Sequence, residues 1–121
     1  MEEEGRDYCE LSVVECVSIL VVSFPVDVVF TEVMNQPFRG FIAACSFGVI
    51  LGLAWMLRPL ARMPIFWLCI SIAAALHLLI VILLPYTGEF RFGFAFFPLF
   101  FVDFYLTAKL IIAVCRRAAA K

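Results

Sequence analysis

Long apolar runs separated by short polar connections set the pattern of this chain. Four of the runs reach, or nearly reach, the roughly 20 apolar residues that cross a bilayer as a helix. None of them has the period-2 alternation typical of membrane-barrel strands. We therefore predict four transmembrane helices, over about residues 11–31, 41–57, 65–84 and 92–115.

The connections between these runs, at 35–40, 58–64 and 85–91, contain the turn-forming residues proline, glycine and asparagine. Links this short place consecutive helices side by side in opposite directions. The pattern thus predicts an all-α fold: an up-down antiparallel four-helix transmembrane bundle that forms a single membrane domain over residues 1–121.

Composition favours the bilayer as the solvent of this fold. The chain has 121 residues, of which 65% are hydrophobic and 16% charged, with a mean hydropathy of +1.08. Soluble domains average about 45–50% apolar and about 25% charged residues. The formal net charge of −1, with no basic cluster larger than Arg116-Arg117, argues against nucleic-acid binding. The acidic N-terminus is unlike a signal peptide, so we expect the first apolar run to be retained.

The distribution of lysine and arginine predicts the orientation. With the N-terminus in the cytoplasm, seven of the nine basic residues lie on the cytoplasmic side, and only Arg39 and Arg91 lie outside. Trp55 and Trp67 flank the 58–64 connection, as interfacial aromatic anchors do. We expect both termini to be cytoplasmic and the protein to be integral to a bacterial inner membrane.

A few ionisable residues fall inside the predicted helices. Counting 1.5 Å per residue from the outer helix ends, Asp27 lies roughly 5 Å deep, His77 roughly 10 Å and Asp103 roughly 16 Å. Thr107 shares a helix face with Asp103. Because ionisable groups inside a membrane mark functional sites by default, we predict an intramembrane polar cluster of Asp27, His77, Asp103 and Thr107 that binds a ligand or partner. The alternatives are that Asp27 reaches the headgroups and that His77 bonds a neighbouring helix.

Two further features concern packing. Ala44, Gly48 and Gly52 recur every four residues and form a ridge of small side chains along the second helix, for packing within the bundle or against a partner. Lys109 stacks with Tyr105 on the fourth helix, and its long stem can reach the cytoplasmic interface. We therefore expect the Lys109 ammonium to lie at the cytoplasmic interface, whereas the shorter side chain of Asp103 stays inside the membrane.

Metal and cofactor chemistry finds no support in the sequence. The five cysteines form no CxxC pair, and the chain has a single histidine, so a haem or metal site lacks a second ligand. We expect the cysteines to be small apolar packing residues, and we predict no metal and no cofactor.

Three classes of function remain. No GxSxG, HExxH, P-loop or dinucleotide motif is present, so no residue is predicted to be catalytic. The prediction is a non-catalytic protein that binds another membrane protein within the bilayer, as an accessory subunit or an immunity-type protein against a membrane-inserting toxin. The alternative is an oligomeric transporter or channel, for a small solute or coupled to protons, that uses Asp27, His77 and Asp103. A lipid-modifying enzyme is the third class. The predicted partner is either another membrane protein or a second copy of this chain in a homo-oligomer.

Overall fold

The computed structural model describes residues 9–83 and 97–121, and within them all regular structure is helical. The helices are α1 (Val13–Val28), α2 (Pro37–Met56), α3 (Pro64–Leu83) and α4 (Phe97–Ala119); a π-helical turn (Val29–Val33) extends α1, and a 3-10 helix (Arg58–Arg62) links α2 to α3. Together with its π-helical turn, α1 is long and apolar enough to cross a membrane, and so are α2, α3 and α4. The chain is therefore an all-helical integral membrane protein.

The helix bounds differ in places from those predicted. α2 begins at Pro37 instead of residue 41, because proline at the first helical position lacks only an N–H that would have no partner there. α4 continues beyond residue 115 to Ala119, since Arg116 and Arg117 suit the last turn of a helix. The predicted start of the fourth helix at 92 and the 85–91 connection lie outside the described residues.

Local side-chain chemistry fixes both ends of α1. Ser12 caps the helix: its hydroxyl accepts a hydrogen bond from the Glu15 N–H at 3.2 Å, and the Glu15 carboxylate accepts one from the Ser12 N–H at 2.8 Å. Near the other end, Pro25 has no N–H to donate, and the π-helical turn follows directly after the proline-containing turn. Asn35 then adopts a left-handed φ of 52°, which asparagine tolerates, and turns the chain into α2.

α2 is the central helix of the bundle, and α1, α3 and α4 all pack against it. In the apolar 18-residue stretch of α2 that would cross the membrane, 44% is buried, whereas in the corresponding stretch of α1 only 6% is buried. A core of interdigitated side chains lies towards the end of α2 that carries Leu53 and Leu57, where Phe66 of α3 and Cys115 of α4 are also fully buried. A smaller core surrounds Ile42 near the start of α2. α1 and α4 consequently present mostly apolar side chains to the surroundings.

Candidate functional site

A histidine and an aspartate join α3 to α4 inside the membrane-spanning region. His77 is buried on α3, and its Nε2 lies 2.7 Å from Oδ2 of Asp103 on α4. Thr107, one turn further along α4, donates a hydrogen bond to the other carboxylate oxygen at 3.3 Å. The helix periodicity places Asp103 and Thr107 on one face of α4, and it places the buried Ala73 on the face of α3 that carries His77.

The backbone fixes the position of one proton of this pair, the one on Nδ1 of His77. Nδ1 of His77 lies 2.8 Å from the carbonyl oxygen of Ala73, which can only accept, so Nδ1 carries a proton. The 2.7 Å contact between Nε2 and the Asp103 carboxyl then needs one more proton between the two atoms. Whether that proton resides on nitrogen or on oxygen, the pair carries no net charge. A neutral pair is the arrangement that a low-dielectric interior favours.

Asp27 belongs to a different set of contacts. Its Oδ1 accepts a hydrogen bond from Thr31 at 3.4 Å, and the same oxygen lies against Gly40 at the start of α2. The structure thus brings His77, Asp103 and Thr107 together and places Asp27 at the interface of α1 and α2. The binding role predicted for the four residues stays a prediction.

An apolar cleft of about 600 Å³ lies between α1 and α4, and α2 forms its floor. Aromatic rings form much of its walls, among them Phe24 on α1 and Phe101 on α4. Ala44 and Gly48 lie on the floor, where small side chains leave the space open. Ser23 satisfies its own hydroxyl by donating to the Ile19 carbonyl at 2.7 Å. The cleft therefore suits an apolar occupant.

Two members of the predicted ridge of small residues, Gly48 and Gly52, lie close to neighbouring helices. A Cβ added to Gly48 would lie 3.2 Å from the Ser23 hydroxyl of α1, and one added to Gly52 would lie 3.0 Å from the Phe104 ring of α4. The tightest approach is at Gly40, where a Cβ would lie 2.9 Å from the Asp27 carbonyl oxygen. Sequence reasoning missed Gly40 because it assigned 35–40 to a connection, although the four-residue spacing continues back to that position.

Where α2 ends, side chains of α1, α2 and the 3-10 helix form a polar network. The Trp55 indole donates to the Glu15 carboxylate at 2.8 Å, and the Arg58 guanidinium lies 3.6 Å from the same oxygen. The Arg58 guanidinium also lies over the Trp55 ring, 5.4 Å from its centre. On α4, the Lys109 ammonium lies 5.0 Å from the centre of the Tyr105 ring, the stacking partner that helix geometry predicts. These contacts resemble interfacial anchoring and suggest no reaction.

Within residues 9–83 and 97–121, no group of three or more His, Cys, Asp or Glu side chains is placed to hold a metal ion. Comparison of the chain with protein-family models, with curated proteins and with solved structures finds no match.

Proposed function

We propose that this protein acts without catalysis, by holding a transmembrane helix of another membrane protein in the cleft between α1 and α4. The cleft carries the proposal, because it runs along the bundle, has apolar aromatic walls and has small residues on its floor. An apolar helix binds in such a groove by side-chain packing, and small residues let the two backbones come close. An accessory subunit and an immunity-type protein that blocks a membrane-inserting toxin would both act in this way.

Photocrosslinking from opposite walls of the cleft tests the proposal. Phe24 and Phe101 line the cleft, are each 63% exposed, and can be replaced with the photoreactive analogue benzoylphenylalanine. Phe47 is the matched control, since it is 42% exposed and does not line the cleft. On irradiation of native membranes, we expect both cleft positions to attach to one and the same polypeptide, and Phe47 not to attach to it.

A cleft-filling variant makes the test specific. Ala44→Leu adds a larger side chain to the floor, and we expect it to abolish both adducts while the protein stays folded. Adducts with lipid alone, or adducts insensitive to Ala44→Leu, contradict a helix-binding cleft. An adduct with a second copy of this chain contradicts a separate partner and indicates a homo-oligomer.

We further propose that the bundle is up-down and antiparallel, with both termini in the cytoplasm of a bacterial cell. Charge asymmetry supports the orientation. The Cys9 N–H bonds the Met56 carbonyl at 2.7 Å, and Arg39 donates to the Ile82 carbonyl at 3.4 Å, contacts that suit opposed neighbouring helices. Alkaline phosphatase fused after Gln36 is expected to be active, and the same enzyme fused after Arg62 inactive. The reverse activities would invert the topology.

The alternative, proton-coupled transport by an oligomer, draws on one observation: Nε2 of His77 lies 2.7 Å from the Asp103 carboxylate within the membrane span. Ionisable relays of this kind serve proton pathways in transporters. In proteoliposomes carrying a pH gradient, this alternative predicts a proton flux that Asp103→Asn abolishes. Flux equal to that of empty liposomes removes the alternative.

A further inference from the structure

The Asp27 carboxylate has fewer hydrogen-bond donors around it, in the part of the chain that the structure describes, than its two oxygens can accept from. Among the described residues that line the cleft, it is the one acidic side chain, and it is half-buried. Its hydrogen-bond donor within the described residues is the Thr31 hydroxyl, at 3.4 Å, near the outer limit of a hydrogen bond. An ionised carboxylate has about four acceptor positions on its two oxygens. The cleft therefore contains acceptor capacity that the described part of the chain leaves unfilled.

No basic side chain of the described residues forms an ion pair with Asp27. In residues 9–83 and 97–121, the ion pairs join Arg58 to Glu15 and His77 to Asp103. Arg39, on the first turn of α2, donates from Nη2 to the Ile82 carbonyl at 3.4 Å, at the end of α3. Charged side chains within membrane spans pair with an opposite charge or a polar group, because an unpaired charge in hydrocarbon is costly. A cation from outside the described residues would compensate the charge of an ionised Asp27.

The depth of Asp27 decides between the two membrane sources of a cation. The helical conformation continues from Asp27 to Val33, which places the carboxylate about 9 Å from the end of the helix at 1.5 Å per residue. A lipid amine belongs to the headgroup layer, outside the hydrocarbon. A lysine or arginine on a transmembrane helix can be carried to any depth and delivered to a carboxylate there. The position thus favours a helix over a lipid.

We propose that the helix held in the cleft carries a lysine or arginine that forms an ion pair with Asp27. This inference rests on the proposed function and specifies its partner: an apolar transmembrane segment with one basic residue about two turns from the end that lies beside Val33. Asp27 then fixes the register of the bound helix, while the aromatic walls of the cleft provide the contact area.

The test uses the benzoylphenylalanine analogue at Phe24, one helical turn from Asp27. We expect Asp27→Asn to lower the yield of the polypeptide adduct at least about tenfold, since loss of one member of a desolvated charge pair weakens binding strongly. Glu32→Gln is the charge-matched control, because Glu32 is exposed and does not line the cleft. The control is expected to keep its adduct. Mass spectrometry of the attached peptide is expected to find a lysine or arginine within one turn of the attachment point.

The outcomes separate this inference from the proposed function. A polypeptide adduct that is unchanged by Asp27→Asn, or an attached peptide without a basic residue, overturns the ion pair and leaves the helix-binding cleft standing. The absence of any polypeptide adduct from Phe24 overturns both. Adducts with an amine-bearing lipid that disappear in Asp27→Asn make the lipid the counter-ion and overturn the inference. A thermal unfolding measurement on Asp27→Asn, which keeps an acceptor for Thr31, separates lost binding from lost folding.

Discussion

Replacing Gly40 with alanine is expected to destabilise the bundle by about 1–3 kcal/mol, the usual cost of forcing extra atoms into a packed interface. The new Cβ would lie 2.9 Å from the Asp27 carbonyl oxygen and 2.6 Å from its Oδ1. The carboxylate can rotate away, but the carbonyl is backbone, so α1 and α2 would have to separate. Gly40→Leu is expected to prevent α1 from docking. Both effects can be measured by titrating the protein, solubilised in a mild detergent, with a denaturing detergent and following its unfolding.

Gly48→Ala and Gly52→Ala are the matched controls. Their added methyl groups would meet a side-chain hydroxyl of Ser23 at 3.2 Å and the edge of the Phe104 ring at 3.0 Å. Both neighbours are side chains that can shift, and alanine gains about 1 kcal/mol of helix propensity over glycine. We expect each control to remain within about 1 kcal/mol of the wild type. A Gly40→Ala protein as stable as these controls would contradict a close crossing of α1 and α2 at Gly40.

The helices could be predicted from sequence because length and hydropathy alone determine which segments cross a bilayer. Their faces are harder to predict, since lipid-facing and buried positions are both apolar. Val21 and Val49 illustrate this: the same residue type is 64% exposed on α1 and 7% exposed on α2. That α2 would be central, and that α1 and α4 would leave a cleft, depends on how the helices cross. No periodicity in these uniformly apolar runs encodes it.

The polar site was partly accessible from sequence. Depth counting placed His77 and Asp103 in one predicted cluster, because few other polar groups lie within the membrane span. The structure places the two side chains 2.7 Å apart. Depth counting also grouped Asp27 with them, because it measures height along the membrane normal and not the lateral position of a helix. The contact of His77 Nδ1 with the Ala73 carbonyl, which shows that Nδ1 is protonated, depends on the side-chain rotamer of His77. Residue spacing along the sequence does not predict that rotamer.

Asp103→Leu is expected to lower the free energy of unfolding by about 1–3 kcal/mol, because Nε2 of His77 would lose its partner in a buried position. Asp103→Asn is expected to cost far less. With Nδ1 protonated, Nε2 of a neutral His77 is an acceptor, and the asparagine amide can donate to it. The amide oxygen still accepts from the Thr107 hydroxyl, which the wild-type carboxylate holds at 3.3 Å.

The double variant His77→Phe with Asp103→Leu checks the cause of that loss. Removing both partners of a buried hydrogen bond in favour of apolar groups can be nearly neutral, and Thr107 can turn its hydroxyl to a carbonyl one turn earlier on α4. We therefore expect the double variant to be more stable than Asp103→Leu alone. Equal stability of the two proteins would mean that the leucine acts through its shape and not through the stranded histidine.

Asp103→Asn also separates the structural role of the pair from a proton-carrying one. The asparagine amide makes the same hydrogen bonds as a protonated aspartate but cannot release its proton to a pathway. A folded Asp103→Asn protein that still forms the Phe24 and Phe101 adducts is expected if the pair only fastens α3 to α4 beside a helix-binding cleft. A folded variant that keeps both adducts but loses a wild-type proton flux would instead assign the pair to transport. Lys109→Gln serves as the control on the same helix, because Lys109 contacts the Tyr105 ring on the exposed face, and it is expected to leave stability, adducts and flux unchanged.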